Sequence, residues 1–330
     1  MTTLYLDKHG TVLRRSDERL IVSRGRKEVA SVPASKVREI IIFGNSTVTP
    51  PALELAISKG IGLSYLTATG KLRGRFEPAL SGNAQLRELQ YIRTRKNDFC
   101  LRVAREIVRA KIQNGARLIQ QKGYRSNDIG KEQWHKFRKY DQLANQAKDI
   151  DALRGYEGSA SASYFKLFAM LLKDDMNFRQ RIKHPPPDPI NILLSLGYTL
   201  LFNMMYSTVN LVGLDPYRGV YHQIKSGHAS LVSDLMEEFR SPVIDAVVLK
   251  CVNLGVIRRN DFVSEDKKVT LKKEGLKKFV QACEEKFCDD SGKSTDGKRL
   301  SFRQQFEYQV RYMANVIKGR IPTYVPFAIS

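Results

Sequence analysis

One long stretch without charge most constrains the fold, because no Asp, Glu, Lys or Arg occurs between Asp188 and Asp215. A run of this length and apolar content predicts a helix that is hidden from water, either in a protein core or in a membrane. Asn191 and Asn203 interrupt the run, and such polar groups favour a protein core over lipid. Asp188 followed by Pro189 is typical of a helix start. We therefore expect a helix buried in a soluble domain, with no membrane partner.

The charge of the chain is large and unevenly distributed. There are 55 Lys and Arg against 34 Asp and Glu, which gives a net charge of +21 over 330 residues. Residues 91–150 carry 15 basic against 6 acidic side chains, whereas residues 151–257 carry ten of each. An excess of this size favours nucleic acid as a partner, although an acidic protein or a membrane surface also fits. The neutral block is where we expect acid, base or metal chemistry.

The spacing of apolar residues along the sequence changes near residue 84. Short β-like runs separated by turn residues continue to about Glu77, and the strongest is Val37 to Phe43. From about Gln85 apolar residues recur at helical spacing. The predicted fold class is α+β, with a small N-terminal β-sheet or sandwich domain over residues 1–84 and a larger all-α domain over residues 85–330. Within the second domain we predict a helix over residues 159–172 and a polar loop over residues 289–298.

The cysteines and the N-terminus bear on the compartment. Four cysteines are scattered without a CxxC pair, which supports neither a disulfide framework nor a zinc finger. The first residues are alternating and charged, unlike a secretory signal peptide. The cytoplasm is therefore the expected location.

An acidic cluster in the neutral block could bind a metal. We predict Ser230 as the N-cap of a helix on which Asp234, Glu237 and Glu238 share one face. Like charges held this close repel unless a cation lies between them, so a divalent metal suits the cluster, with His222 as a nitrogen ligand. The alternative is an ordinary acidic helix turn and a structural histidine.

A second acidic candidate is Glu157, which small residues surround just ahead of the helix predicted from residue 159. Two carboxylates and one imidazole suit Mg²⁺ or Mn²⁺, and the lack of cysteine or three-histidine ligand sets makes a zinc hydrolase the weaker interpretation. The spacing alone does not show that these side chains meet.

Two groups of basic residues could contact phosphate. Arg102, Arg105 and Arg109 fall on one face of a predicted helix, as a phosphate-tracking stripe or as a solvated basic face. The second group lies just ahead of the proline run before the uncharged helix: Arg179, Arg181 and Lys183.

Four ordered motifs of the second domain resemble those of the CRISPR-associated integrase family, whose members are metal-dependent DNA endonucleases of CRISPR adaptation. The resemblance extends over almost the whole chain, and the β part carries weaker matches. The four motifs are Arg154-Gly155-Tyr156-Glu157-Gly158, the run from Pro186 to Ser195, Gly213-Leu214-Asp215-Pro216 leading to Gly219-Val220-Tyr221-His222, and the run from Ser230 to Arg240.

The resemblance implies roles for particular residues. It implies metal ligation by Glu157, His222 and Glu237, with Asp234 as a supporting carboxylate and Glu238 outside the site. The family commonly has a basic residue, often arginine, where this chain has His228, so a phosphate contact at that position is in question. The implied metal is Mg²⁺ or Mn²⁺.

The resemblance also implies a reaction and partners. The reaction joins the 3′-hydroxyl ends of a spacer precursor to the CRISPR repeat, both double-stranded DNA, in the cytoplasm of a prokaryote. The implied assembly is a homodimer, with a small ferredoxin-like companion CRISPR protein that bridges two dimers. Two other functions remain open: a non-catalytic nucleic-acid-binding protein, and a metal nuclease that cuts RNA or branched DNA outside CRISPR adaptation.

Overall fold

The computed structural model divides the chain into two compact units, Met1–Gly82 and Asn83–Ser330. It describes residues 2–67, 70, 72–77, 83–123, 131–183, 185–265, 268–294 and 297–329. The first unit is built on β-strands and the second mainly on helices, so the predicted α+β class is confirmed.

The described residues of the first unit form two four-stranded sheets, one α-helix and a short 3₁₀ helix, Ala34–Lys36. One sheet has the order β1, β5, β7, β8, and the other has the order β4, β3, β2, β6. Parallel pairing of β1 with β5 and of β5 with β7 buries the run predicted as the strongest strand, and Ile40 and Ile42 lie in the core. The elements are β1 Thr2–Leu6, β2 Thr11–Ser16, β3 Arg19–Arg24, β4 Lys27–Pro33, β5 Val37–Phe43, β6 Thr47–Val48, α1 Pro50–Ser58, β7 Gly62–Leu66 and β8 Leu72–Phe76.

The second unit contains helices α2 to α10 and two short hairpins. The helices are α2 Ala84–Thr94, α3 Asn97–Gly123, α4 Lys131–Gln146, α5 Ile150–Met170, α6 Pro189–Val212, α7 Ser230–Met236, α8 Ala246–Asn253, α9 Lys273–Cys288 and α10 Phe302–Ile317. The hairpins are β9 Phe262–Glu265 with β10 Lys268–Leu271, and β11 Asp290–Lys293 with β12 Arg299–Ser301. The second hairpin replaces the polar loop predicted for residues 289–298, because its short strands are rich in polar residues and give no apolar alternation to detect.

Helix α6 is the core helix of the second unit. Asp188 accepts a hydrogen bond from the Asn191 backbone N–H at 2.8 Å and Pro189 is the first helical residue, as predicted. Among the described residues it is the one helix long and apolar enough to cross a membrane, with a mean hydropathy of 1.4. Because 72% of that apolar window is buried inside the unit, the helix has the character of a core element.

Helix α5 begins earlier than predicted. It starts at Ile150, where the N-cap Asp149 accepts a hydrogen bond from the Ala152 backbone N–H at 2.8 Å. Glu157 therefore lies within the helix, and the prediction that it precedes the helix is wrong. Gly155 and Gly158 disfavour a helix by propensity, but tertiary packing outweighs the cost of about 1 kcal/mol for each glycine.

Candidate metal and nucleic-acid site

A cavity of about 620 Å³ in the helical unit is lined by two of the predicted acidic residues, Glu157 and Glu237, and by His222. Glu157 comes from α5, His222 from the loop before α7, and Glu237 from the turn that follows α7. Lys111 of α3 and Arg240 also line this cavity. Residues far apart in sequence thus share one partly enclosed, charged space.

The acidic segment, residues 230–245, is not one regular helix. α7 ends at Met236, a 3₁₀ turn covers Glu237–Phe239, and a π-helical turn covers Arg240–Asp245. The N-cap residue is Ala229, so the prediction of Ser230 as the N-cap is wrong. The Ser230 hydroxyl instead donates to the Tyr217 carbonyl at 2.6 Å and accepts from the Gly219 N–H at 2.9 Å. Ser230 therefore links α7 to residues 217–222, which are called the histidine loop below.

Asp234 is fully buried and holds the backbone of the histidine loop. Its Oδ2 accepts hydrogen bonds from the N–H groups of Val220 at 2.6 Å and Tyr221 at 3.1 Å, and its Oδ1 accepts from the His222 N–H at 2.8 Å. A Cβ added to Gly219 would lie 2.4 Å from Asp234 Oδ2, so the loop approaches this closely only because residue 219 is glycine. Asp234 thus has little acceptor capacity left for a metal.

The orientation of His222 follows from the same carboxylate. His222 Nδ1 lies 2.7 Å from Asp234 Oδ1, and its Nε2 lies 3.7 Å from Glu237 Oε1. A neutral imidazole that donates from Nδ1 to a carboxylate presents its Nε2 lone pair, which is the usual arrangement behind a metal-ligating histidine. The neighbouring His228 points elsewhere, with Nε2 3.3 Å from the Ser233 hydroxyl.

Glu237 is almost completely buried but is kept ionised by cations. Its Oε1 lies 3.0 Å from Arg240 Nη2, and its Oε2 lies 2.7 Å from Lys111 Nζ. Burial alone would raise the pKa of Glu237, yet the charges of Arg240 and Lys111 lower it to about 2. A carboxylate in this state is ready to bind a further cation.

Glu157 of α5 forms an ion pair with the same lysine, Lys111 of α3. Lys111 Nζ contacts Glu157 Oε1, which also accepts a hydrogen bond from the Ser161 hydroxyl at 2.8 Å. Burial acts to raise the pKa of Glu157, but the Lys111 ammonium holds it below the usual range. Lys111 therefore links the carboxylates of α5 and of the acidic segment.

Glu238 points away from the cavity although it follows Glu237 directly. Its buried carboxyl group accepts from the Tyr324 hydroxyl at 2.7 Å, from the Gln309 amide at 3.2 Å and from the Phe327 backbone N–H. Burial raises its pKa to about 8, and among the described residues no cation lowers it. Its role is to anchor the C-terminal segment, and its separation from the site agrees with what the resemblance implies.

The residues in the cavity fit a divalent cation in chemistry, although not in their present positions. Within the described residues no three His, Cys, Asp or Glu side chains converge closely enough to hold a metal. Glu237 Oε2 is nevertheless buried without a partner in hydrogen-bond geometry, and His222 Nε2 faces the same carboxylate. Two carboxylates and one imidazole are donors that Mg²⁺ and Mn²⁺ accept. A cation at this point requires that the Lys111 ammonium leave.

The three basic residues before α6 have different surroundings. Arg181 donates to Asn191 Oδ1 at 2.8 Å and to the Ser195 hydroxyl at 3.0 Å, which ties it to α6. Arg179 is exposed and lies 3.0 Å from Asp175, and Lys183 is exposed at the cavity wall. Arg179 and Lys183 are thus the more accessible of the three, and phosphate contact stays a prediction for all of them.

The arginines of α3 mostly contact protein. Arg105 donates to the Ala147 carbonyl at 2.9 Å through Nε, and Arg109 Nε lies 3.0 Å from Asp141. Both hold α3 against the end of α4. Arg102 packs over the Phe99 ring at 5.9 Å and lines a smaller cavity of about 320 Å³ with Arg93 and Lys96. Their predicted contact with DNA stays a prediction.

Sequence reasoning missed Lys111, Arg240 and Gly219. Lys111 lies only two residues after Arg109, inside the basic helix, and nothing in its spacing separates it from solvated neighbours. Arg240 follows Glu237 at i+3, a spacing at which ion pairs form on helices, and this signal could have found it.

The comparison with known families decides the relationship. The family model described as "CRISPR associated protein Cas1" matches residues 4–285. The chain belongs to the Cas1 family. The resemblance inferred from its motifs is therefore confirmed.

Individual relatives resemble this Cas1 chain over nearly its full length. The "CRISPR-associated endonuclease Cas1 3" of Thermus thermophilus is 36% identical over 327 residues, which cover 98% of this chain and 94% of the relative. The solved structure of a "Casposase bound to integration product" superposes with a TM-score of 0.89 at 23% identity, covering 100% of this chain and 95% of that one. The "Cas6-RT-Cas1--Cas2 complex" gives a TM-score of 0.85 at 24% identity, covering 100% of this chain and 36% of that chain.

Proposed function

We propose that this Cas1 family member is a metal-dependent DNA endonuclease and integrase of CRISPR adaptation. The observation that carries the proposal is the meeting of Glu157, His222 and Glu237 in one cavity of a chain with this family membership. Two relatives support it, since the Thermus thermophilus protein is named an endonuclease and the casposase is bound to an integration product.

The proposed metal ligands are Glu157, Glu237 and Nε2 of His222, with Mg²⁺ or Mn²⁺ as the cation. When bound, such a cation supplies Lewis-acid stabilisation of the negative charge that develops on phosphate oxygens. Asp234 supports the site by orienting His222 through Nδ1 and by holding the loop N–H groups. Arg240 keeps Glu237 ionised and fixed, at 3.0 Å from Oε1.

The proposed reaction is a transesterification. A 3′-hydroxyl of the incoming DNA attacks a phosphodiester at the repeat boundary, so that one P–O bond forms while another breaks. Water in place of the hydroxyl gives strand cleavage from the same site. The chain contributes mainly positioning and electrostatics, with Arg179 and Lys183 available at the cavity wall to contact phosphate.

The proposed partners are double-stranded DNA, a second copy of this chain and a small ferredoxin-like companion protein. The Cas6-RT-Cas1--Cas2 complex supports a Cas2-type companion, and the casposase bound to its integration product supports DNA. We also propose the β domain of residues 1–84 as the dimerisation unit, residues 85–330 as the catalytic domain, and the prokaryotic cytoplasm as the location.

The test is covalent joining of a labelled 3′-hydroxyl duplex to a supercoiled plasmid that carries a CRISPR repeat, in Mn²⁺ or Mg²⁺. We expect wild type to join the DNA, and Glu157→Ala and His222→Ala to lose joining while binding DNA nearly as well. Glu307→Gln on α10 is the control and is expected to keep activity, because Glu307 pairs with Arg311, 2.8 Å away, and is not among the residues that line the cavity. Chelation of the metal is expected to stop joining with little effect on binding.

Three outcomes contradict the proposal. Plasmid nicking without joining, with and without the companion protein, points to a metal nuclease outside CRISPR adaptation. Joining by Glu157→Ala or His222→Ala in Mn²⁺ removes that residue from the mechanism. Binding of DNA with no metal-dependent chemistry points to the non-catalytic alternative.

A further inference from the structure

Lys111 lies where the two proposed carboxylate ligands face each other. It projects from α3, makes an ion pair with Glu157 of α5, and stands 2.7 Å from Oε2 of Glu237. Its side chain is 22% exposed, and Glu237 is 4% exposed. One ammonium group therefore forms ion pairs with two carboxylates that come from two other elements.

The contacts of Lys111 are those that a bound cation would make. The buried Oε2 of Glu237 has Lys111 Nζ, 2.7 Å away, as its ion-pair partner and no other polar partner among the described residues. The second oxygen of Glu237 is held independently by Arg240 at 3.0 Å. Glu237 thus keeps its position when Lys111 moves, and the oxygen that faces Glu157 becomes available.

We propose that Lys111 is an internal competitor for the metal: its ammonium group forms ion pairs with both Glu157 and Glu237 until a divalent cation displaces it. The inference rests on the proposed metal site and adds a residue to it. Lysine suits the role because its compact charge is carried on a flexible four-carbon stem, which can swing aside without moving the helix. Without the Lys111 ammonium group, the carboxylates of Glu157 and Glu237 would face each other and repel.

The test measures Mn²⁺ binding by calorimetry and thermal melting of the full chain in EDTA and in Mn²⁺. Lys111→Met keeps the apolar stem and removes the charge. We expect a lower melting temperature in EDTA, because the buried Glu237 and the half-buried Glu157 lose the ammonium group that pairs with both of them. We also expect the Kd for Mn²⁺ to fall on the order of tenfold, the scale of coupling between ligands that exclude each other.

Two further variants keep the result interpretable. Lys166→Met is the matched control, because Lys166 lines the same cavity and lies outside the ion pairs that Glu157 and Glu237 make among the described residues. We expect it to bind Mn²⁺ as wild type does. Lys111→Arg keeps the charge in a carboxylate-matching fork, so we expect Mn²⁺ binding equal to or weaker than that of wild type, even if Lys111→Met does not fold.

The outcomes separate this inference from the proposed function. Wild type that binds no Mn²⁺ overturns both. If wild type binds Mn²⁺ and Glu157→Ala does not, the metal site stands, and unchanged or weaker Mn²⁺ binding by Lys111→Met overturns the role of Lys111 alone. Tighter binding by Lys111→Arg overturns it as well.

Discussion

Glu237 and Glu238 are adjacent, acidic and buried, yet they belong to two different regions of the helical unit. Glu237 faces Arg240, Lys111 and His222 in the cavity, and its pKa falls to about 2. Glu238 faces Tyr324, Gln309 and the backbone of the C-terminal segment, and its pKa rises to about 8. Burial acts in the same direction on both, so the difference comes from the cations. The partners across the fold, and not the residue type, separate a proposed metal ligand from a structural anchor.

Replacing each glutamate with glutamine in turn tests most directly whether Glu237 and Glu238 have different roles. We expect Glu237→Gln to lower the rate of DNA joining on the order of a hundredfold or more, because it removes a proposed ligand and leaves Lys111 and Arg240 undercompensated. Glu238→Gln keeps the hydrogen bonds to the C-terminal segment and is expected to retain activity. Rates of joining for the two purified variants check this, and similar losses in both would contradict the separation of roles.

Replacing Asp234 tests whether His222 depends on the carboxylate that contacts its Nδ1. Asp234→Asn replaces one of two acceptor oxygens, while four groups rely on that carboxylate: three backbone N–H groups and His222 Nδ1. We expect Mn²⁺ affinity to fall by about 10- to 100-fold, the usual effect of removing a carboxylate behind a ligating histidine. Calorimetric titration measures it. Mn²⁺ binding equal to wild type would show that His222 does not depend on Asp234.

The anchoring role of Glu238 predicts an effect on the free energy of unfolding. Glu238→Ala leaves the Tyr324 hydroxyl and the Phe327 N–H without their buried acceptor, so we expect a loss of about 2 to 4 kcal/mol in the free energy of unfolding. Urea denaturation measures it, with Glu238→Gln as the control because an amide can serve the same partners. Equal stability of the Ala and Gln variants would contradict the anchoring role.

A third buried carboxyl group, Asp245, sharpens the comparison through pH. It accepts from the hydroxyls of Tyr164 at 2.7 Å and Tyr198 at 2.6 Å, while the cations nearest to it are Arg240 and Arg181. Burial raises its pKa to about 6, so its contribution to stability is complete below about pH 4 and is lost as the pH rises through about 6. We expect Asp245→Asn to flatten the pH dependence of the unfolding free energy between pH 4 and about 6.5. Denaturation at several pH values measures this, and an unchanged slope would rule Asp245 out as its source.

Several features follow from local sequence and are confirmed. The order of a β unit and a helical unit, the start of α6 at Asp188 and Pro189, and the family itself could all be predicted. Each depends on periodicity, a cap or an ordered motif, which are properties of neighbouring residues.

The remaining features depend on contacts between distant segments. Ser230 has the chemistry of an N-cap but bonds to Tyr217 and Gly219, which local sequence does not reveal. Glu237 and Glu238 point in different directions because successive residues of a helix lie about 100° apart, and only the packing of the segment shows which of the two lines the cavity. Lys111 belongs to a basic helix, and only the packing of α3 against α5 distinguishes it from its neighbours.

Gly219 extends this dependence on distant contacts to a residue with no functional group at all. Its backbone does not occupy the left-handed region, so the requirement for glycine there is purely one of space beside Asp234 Oδ2, 2.4 Å from where a Cβ would be. Any search for functional positions that scores acids, bases and nucleophiles passes over it. Redesign of the proposed metal site should therefore treat position 219 as fixed along with the proposed ligands, since a single methyl group there would displace the carboxylate that orients His222.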